Sequence, residues 1–172
     1  WELLARGGDA VREVPPDRWD IASYFAPDPD VPGRMLTRYG AFLDRVYTNL
    51  FSTLAVGKAR YGLMLREEGI AFDDGTTWRL GQDDFLMTTT TANAGKVMQH
   101  LEYYLDVVWP DLKVHVTSVT DQWAGAAIGG PKAREILAAC VTGTAVDNET
   151  LPFMGIVYGE ISGAPVMICR LS

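Results

Sequence analysis

The sequence has few cysteines, no basic cluster and no long apolar run, and each shortage excludes a class of protein. Only Cys140 and Cys169 occur among 172 residues. They lack the spacing of a redox or zinc motif, so we expect two buried thiols in a reducing cytoplasm. Acidic side chains outnumber basic ones by 22 to 15, which argues against nucleic acid and anionic membranes as partners. Charges or glycines interrupt every apolar stretch well before the roughly 20 residues of a membrane span.

Several catalytic motifs are also missing. No G-x-G-x-x-G, P-loop or G-x-S-x-G string occurs, so nothing indicates a Rossmann nucleotide site, a kinase or a serine hydrolase. His100 and His115 have no second ligand at metal spacing, and we therefore predict no metal site. The chemistry of this chain must depend on other residues.

Proline divides the chain into two regions of different composition. Five of the nine prolines fall within the first 41 residues. We predict that this opening is mostly loop with little sheet, with a short helix over residues 2–6 and a turn over 28–33. The composition therefore separates a loop-rich segment, residues 1–41, from a folded domain, residues 42–172.

The second region predicts an α+β domain in which helices cover a mostly antiparallel sheet. Apolar residues recur three and four apart over residues 41–50 and again from Thr91 to Pro110, which indicates two amphipathic helices. A third helix is expected with Pro131 as its first residue. β-rich segments are predicted over the following ranges: 59–65, 69–72, 76–80, 84–91, 114–120, 122–130 and the two arms of a C-terminal hairpin. Turns are expected at Asp74-Gly75, Gly81–Asp83 and Ser162-Gly163.

An adjacent pair of carboxylates, Asp73 and Asp74, is the main candidate for proton transfer. The pair lies where a predicted strand meets a predicted turn, and two carboxylates this close repel, so one could carry a raised pKa. The alternative is that they only begin the turn with Gly75. Both interpretations remain open from the residues alone.

Two further features have both a functional and a structural interpretation. The run Thr88–Thr91 precedes a helix whose free N–H groups could hold an anion such as a carboxylate tail, or it simply ends a strand and caps the helix. Four aromatic residues, Tyr103, Tyr104, Trp109 and Trp123, could stack on a planar ligand. Large aromatics on a helix and a strand are more often core.

Residues 42–172 resemble the folate-binding aminomethyltransferases, and in particular the alpha subunit of sarcosine oxidase. Several strings in family order carry the resemblance: FLDRVYTN, GKARYGLMLREEGIAFDDGTTWRL, DDFLMTTTTANAGKVMQHLEYYL, VHVTSVTDQWAGAAIGGPKAR and LPFMGIVYGEISG. The family pattern of a Tyr, a Met-Leu, a Gly and paired aspartates is met by Tyr61, Met64, Leu65, Gly69, Asp73 and Asp74. The glycine-proline turn of the family is met by Gly130 and Pro131.

The resemblance implies a tetrahydrofolate pocket and capture of an iminium or aminomethyl carbon, giving methylenetetrahydrofolate. It implies that Asp73 or Asp74 interacts with the folate at the transfer site, without deciding between them. It also implies that Tyr61 and Thr89 line the pocket. Flavin and NAD would belong to other regions or subunits of sarcosine oxidase, whose other subunits are possible partners. A pterin-binding glutamate of the family is expected beyond Ser172.

Residues 1 to about 43 resemble instead the N-terminus of a ketosynthase domain of modular polyketide synthases. The strings WELLARGGDAVREVPPDRWD and YFAPDPDVPGRMLTRYGAFLD carry this second resemblance. We therefore expect a chimeric chain with a crossover near residues 42–46, and an incomplete folate-binding domain. Two rival hypotheses remain: a noncatalytic fragment with exposed sheet edges, and an N-terminal piece of a polyketide assembly line.

Overall fold

The structure is a computed structural model that describes residues 2–6, 25–27 and 35–172. These residues form two units. The central unit contains the described residues of 25–56 together with 60–117, and the C-terminal unit contains 2–6, 57–59 and 118–172. The predicted turn over 28–33 lies outside the described residues. In chain order, the strands and helices are β1 Glu2–Arg6, β2 Phe25–Pro27, β3 Met35–Thr37, α1 Arg38–Val46, β4 Lys58–Leu65, β5 Ala71–Arg79, β6 Phe85–Met87, α2 Ala94–Tyr103, β7 Trp123–Ala127, α3 Ala133–Cys140, β8 Val141–Thr142, β9 Ile156–Ile161 and β10 Ala164–Cys169.

In the central unit, β4, β5 and β6 are hydrogen-bonded neighbours in that order, and β2 pairs with β3. A 3₁₀ turn, Thr91–Asn93, leads into α2, and a π-helical turn, Tyr104–Val108, follows it. The apolar stripes of α1 and α2 pack on the same core as the buried face of β4, as their three- and four-residue spacing predicts. That core contains Phe42, Leu43, Tyr47, Phe51, Leu54, Met64, Val97, Leu101, Leu105 and Val114.

The predicted turn at Asp74-Gly75 is wrong, because both residues lie inside β5. The chain instead reverses before β5, where the Gly69 N–H donates to the Arg66 carbonyl and Gly69 has φ 80°. Gly75 is needed for a different reason: a Cβ there would lie 1.9 Å from the Thr88 carbonyl oxygen. The glycine therefore permits close approach to the segment after β6.

Three other predictions for the central unit are confirmed, one helix ends earlier than predicted, and one predicted strand is wrong. The strand at 59–65, the turn at Gly81–Asp83 and the helical stretch opening at Thr91 are confirmed. Helix α1 ends at Val46, four residues earlier than predicted, because Tyr47 forms a β-bridge with Met64. The predicted strand at 114–120 is wrong: burial alternates from Val114 to Thr117, but residues 112–119 pair with no described strand.

In the C-terminal unit, five antiparallel strands lie in the order β7-β1-β10-β9-β8. The predicted helix over residues 2–6 is wrong, because this segment pairs with β10 on one side and β7 on the other. The predicted scarcity of sheet before residue 41 is wrong for the same reason, and β2 and β3 add a second pair. Pairing on both edges outweighs the weak helical preference of five residues.

The hairpin between β9 and β10 is confirmed, with both turn residues at positive φ (Ser162 53°, Gly163 81°). Helix α3 begins at Ala133, with Lys132 before it. Pro131, the predicted first residue of the helix, therefore lies two residues before it. The expectation of two buried thiols is half wrong: Cys169 is buried and Cys140 is exposed at the end of α3. None of the described helices is long and apolar enough to cross a membrane.

Candidate functional site

The two aspartates of β5 differ in their surroundings. Successive side chains of a strand lie on opposite sides. Asp73 is only 7% exposed, whereas Asp74 is exposed. The carboxylates are adjacent in sequence, but one belongs to the interior and the other faces solvent.

The buried carboxylate, that of Asp73, is held from the segment that opens α2. Its Oδ2 accepts a hydrogen bond from the backbone N–H of Thr90 at 3.3 Å, and its Oδ1 accepts one from the Asn93 side-chain amide at 3.2 Å. The same Asn93 nitrogen donates to the Phe72 carbonyl at 2.8 Å. Both carboxylate oxygens are therefore occupied, which offsets the cost of burying the charge.

The side-chain carboxylate of Asp74 has no hydrogen bond or ion pair to any described residue. It lines two concavities in the surface of the central unit, with volumes of about 490 and 380 Å³. The larger one is lined by Thr48, Asn49, Tyr61, Gly62, Leu63 and Asp74. The smaller one is lined by Leu63, Ala71, Phe72, Asp73, Asp74, Thr90, Ala92, Asn93 and Lys96. Asp74 is thus a carboxylate available to a ligand in either concavity.

The other two sequence-predicted site residues occupy different positions. Tyr61 is 51% exposed and lines the larger concavity together with Asp74. Thr89 is half-buried, donates its hydroxyl to the Thr90 carbonyl at 3.4 Å, and lines neither concavity. The structure brings Tyr61 and Asp74 to one concavity and leaves Thr89 outside both.

Glycine at position 62 shapes the larger concavity. A Cβ at this position would lie 2.5 Å from the Tyr47 ring and 2.9 Å from the Phe51 ring. Glycine therefore lets β4 lie directly against this aromatic pair, whose ring centroids are 4.8 Å apart. Burial raises the pKa of the Tyr47 hydroxyl to about 12, and the negative charge of Asp73 contributes to the rise. This phenol stays protonated at neutral pH and cannot act as a base.

An aromatic series extends from the smaller concavity along α2. The ring centroid of Phe72, which lines that concavity, lies 4.7 Å from that of His100, and the His100 centroid lies 4.7 Å from that of Tyr104. Tyr104 in turn stacks on Trp109. Burial lowers the pKa of His100, and the positive charge of Arg66 lowers it further. Two of the aromatic residues considered from the sequence, Tyr104 and Trp109, pack against the core as predicted. Tyr103 is exposed, so the core interpretation is wrong for it.

Sequence reasoning missed the residues that surround the acidic pair. Asn93 carries the one available signal, because an Asn immediately before a helix typically caps it. Thr90 contributes through its backbone, which no side-chain pattern reveals. Asn49 and Lys96 come from separate elements and meet the aspartates only in the folded chain. Among the described residues, no group of acidic, His and Cys side chains could hold a metal ion.

Most of the chain matches a known protein family. A sequence model of the GCVT N-terminal domain matches residues 38–172. The chain belongs to this family. Sarcosine oxidase subunit alpha from Rhizobium meliloti (strain 1021) is 52% identical over 128 residues, which cover 74% of this chain and 13% of that protein.

A solved structure supports the fold of the GCVT N-terminal domain for this chain. The glycine cleavage system aminomethyltransferase T from Bartonella henselae aligns with a TM-score of 0.52 and 19% identity. The alignment covers 78% of this chain and 37% of that one. The α+β prediction, with antiparallel sheets and helices in a partial domain, is therefore confirmed. The chain spans well under half the length of these relatives.

The first part of the chain matches a different family. The N-terminal domain of beta-ketoacyl synthases matches residues 1–59. A mycocerosic acid synthase-like polyketide synthase from Mycobacterium tuberculosis is 56% identical over 46 residues, which cover 27% of this chain and 2% of that protein. Both resemblances stated from the sequence are confirmed. The two family matches overlap over residues 38–59, and the boundary between residues 41 and 42 stays a prediction.

Proposed function

We propose that the central unit supplies one wall of a reduced-folate site for one-carbon transfer, with Asp74 as its ligand-facing carboxylate. The observation that carries the proposal is the contrast within the pair: Asp73 has both oxygens occupied, whereas Asp74 is exposed, lacks a partner among the described residues and lines both concavities. A charge that is neither buried nor paired is free to meet a ligand.

The residues around Asp74 suit a flat ligand that carries hydrogen-bonding groups. Tyr61 offers an aromatic face, and Asn49 offers an amide with both a donor and an acceptor. A pterin ring has the same combination of a planar surface and polar edges. The donor set therefore fits tetrahydrofolate, which would supply the nitrogen nucleophiles that accept the carbon unit.

In this proposal the protein positions groups and manages one proton. Asp74 would bind a nitrogen-bound hydrogen of the folate and take up or return a proton there as the aminomethyl or iminium carbon is transferred. Asp73 would fix the strand that carries Asp74. The apolar side chains of Leu63 and Phe72 would restrict water near the reacting groups. The protein itself forms no covalent bond.

Aminomethyltransferase and sarcosine oxidase activities belong to the longer relatives, and for this chain they are proposals. We propose the same for partnership with other sarcosine oxidase subunits and for a division into a ketosynthase-like segment, residues 1–41, and a folate-binding part, residues 42–172. Thr89 is also retained as a proposed folate neighbour. It follows β6, which pairs with the strand that carries the aspartates.

The test is calorimetric titration of the 172-residue chain with folinic acid, a stable reduced folate. Asp74→Asn should weaken binding about tenfold or more, because the ligand's hydrogen bond to a charged carboxylate becomes one to a neutral amide oxygen. Asp84→Asn removes one exposed negative charge just before β6, outside both concavities, and is the matched control. Equal effects of the two substitutions would contradict the assignment of Asp74.

A further inference from the structure

Asn93 is placed as a helix cap but does not act as one. It immediately precedes α2, where an Asn side chain commonly accepts a hydrogen bond from a free N–H of the first turn. No such bond is present at Asn93. Its side-chain nitrogen instead donates to the Phe72 carbonyl at 2.8 Å and to the Asp73 carboxylate at 3.2 Å.

These two hydrogen bonds require an amide. One side-chain nitrogen carries two hydrogens, and each meets an acceptor on β5. A carboxylate at this position would offer no donor and would face the Asp73 charge, and a serine hydroxyl has only one hydrogen on a shorter side chain. The residue type is therefore matched to β5 rather than to the helix.

Both acceptors lie directly before Asp74 in the strand. Asn93 fixes the Phe72 carbonyl and the Asp73 side chain, while the Thr90 N–H holds the second Asp73 oxygen. Three hydrogen bonds thus tie the strand to the opening of α2 over two consecutive residues. The backbone that carries Asp74 has little freedom to move relative to this helix.

We propose that Asn93 is a positioning residue that holds the Asp74 carboxylate at the ligand-facing surface through its bonds to Phe72 and Asp73. This inference rests on the proposed function, since it concerns the same site. Asn93 acts on Asp74 through the strand and needs no contact with the reacting atoms.

Asn93→Asp is the informative variant, because it keeps the shape and the helix-capping preference but replaces the donor with a second carboxylate beside Asp73. Two facing carboxylates raise the pKa of the pair, so the variant should regain a proton, and with it a donor, as pH falls. The other charged or titratable groups near this point are Asp74 on β5, Lys96 and His100 on α2, and Arg66 in the turn before β5. All four are unchanged in the variant.

The experiment compares folinic acid affinity of the 172-residue variant and parent chains at about pH 8 and about pH 5. At the higher pH, Asn93→Asp should bind about tenfold more weakly than the parent chain. This loss of affinity should be smaller at the lower pH, where protonation returns one of the two donors. Gln99→Glu, the same chemical change at an exposed position of α2, should match the parent at both. If Asn93→Asp does not fold, Asn93→Ser removes one donor without adding charge and should also weaken binding.

The outcomes separate the two claims. A parent chain that does not bind folinic acid overturns the proposed function, and the positioning role with it. A parent chain that binds, together with an Asn93→Asp variant of equal affinity at about pH 8 or an equal loss at both pH values, overturns only the positioning role.

Discussion

Strands β5 and β10 each end in four consecutive buried residues, but the two runs differ in chemistry. In β10 the run is Val166, Met167, Ile168 and Cys169, all apolar. In β5 it is Thr76, Thr77, Trp78 and Arg79, of which all but Trp78 are polar, and Asp73 adds a fourth buried polar residue nearby. Burying polar groups is unfavourable unless they are hydrogen-bonded. Strand β5 therefore bears a cost that β10 avoids, and it bears that cost next to the candidate site.

Backbone carbonyls satisfy the buried guanidinium of Arg79, whereas the Thr77 hydroxyl and the Trp78 indole N–H have no hydrogen-bond partner among the described residues. The Arg79 guanidinium donates to the carbonyls of Leu54 and Gln82, both at 2.7 Å, and to that of Gly81 at 3.3 Å. The Thr88 hydroxyl accepts from the backbone N–H of Thr76 and donates to the Thr76 carbonyl, both at 3.1 Å. These contacts fix the loop before β4 and the turn after β5. Strand β10 thus fills a core, whereas β5 also fixes the neighbouring loop and turn.

The largest effect is expected in β10, where a core side chain is lost. Ile168→Ala should lower the free energy of unfolding by about 2–5 kcal/mol, since Ile168 is 1% exposed and truncation leaves a cavity. Urea denaturation measures the loss. Ile168 lines neither concavity, so folinic acid affinity of the folded fraction should be unchanged. A parallel loss of affinity would remove the functional contrast between the two strands.

A smaller loss of stability, but one that extends to the site, is expected at Gly75. The Cβ of Gly75→Ala would meet the Thr88 carbonyl, so β5 and β6 must move apart, at a cost of about 1–3 kcal/mol. Folinic acid binding should weaken as well, because Asp74 is the adjacent residue. Gly95→Ala in α2 is the matched control. Its added Cβ meets nothing within 4 Å, and the change should stabilise the helix slightly.

The smallest effect concerns pH and His100. The pKa of this imidazole is lowered by burial and by Arg66, so the unfolded chain binds a proton more readily than the folded one. The His100 contribution to stability is therefore lost as pH falls through and below about 6.5. Urea denaturation of the parent chain and of His100→Gln, at neutral and mildly acidic pH, should show a steeper loss in the parent. Identical pH dependence would contradict this account.

The sequence predicted most elements where local signals agree with pairing. The amphipathic spacing from Thr91 gave α2, and the Ser162-Gly163 dipeptide gave the β9–β10 hairpin. Errors occurred where tertiary contacts decide: residues 2–6 are a strand because strands lie on both sides, and Gly75 serves close approach rather than a turn. No local pattern reports either fact.

The candidate site could be predicted only in part for the same reason. The family resemblance indicated Tyr61, Asp73 and Asp74, but choosing between the aspartates required knowing which one is buried. The Asn93 side chain bonds to residues 20 and 21 positions away in the chain, and this separation is set by the turn between β5 and β6. A prediction made for each helix or strand separately therefore does not show that these residues meet.

One measurement tests the division between the two aspartates most directly: urea denaturation and folinic acid titration of Asp73→Ala beside Asp74→Ala. Asp73→Ala removes the acceptor of the Thr90 N–H and one of the two acceptors of the Asn93 amide, so the free energy of unfolding should fall by about 1–3 kcal/mol. Asp74→Ala should change stability by less than about 0.5 kcal/mol and abolish most of the affinity. A stable Asp73→Ala, or an Asp74→Ala that binds like the parent chain, would contradict the account.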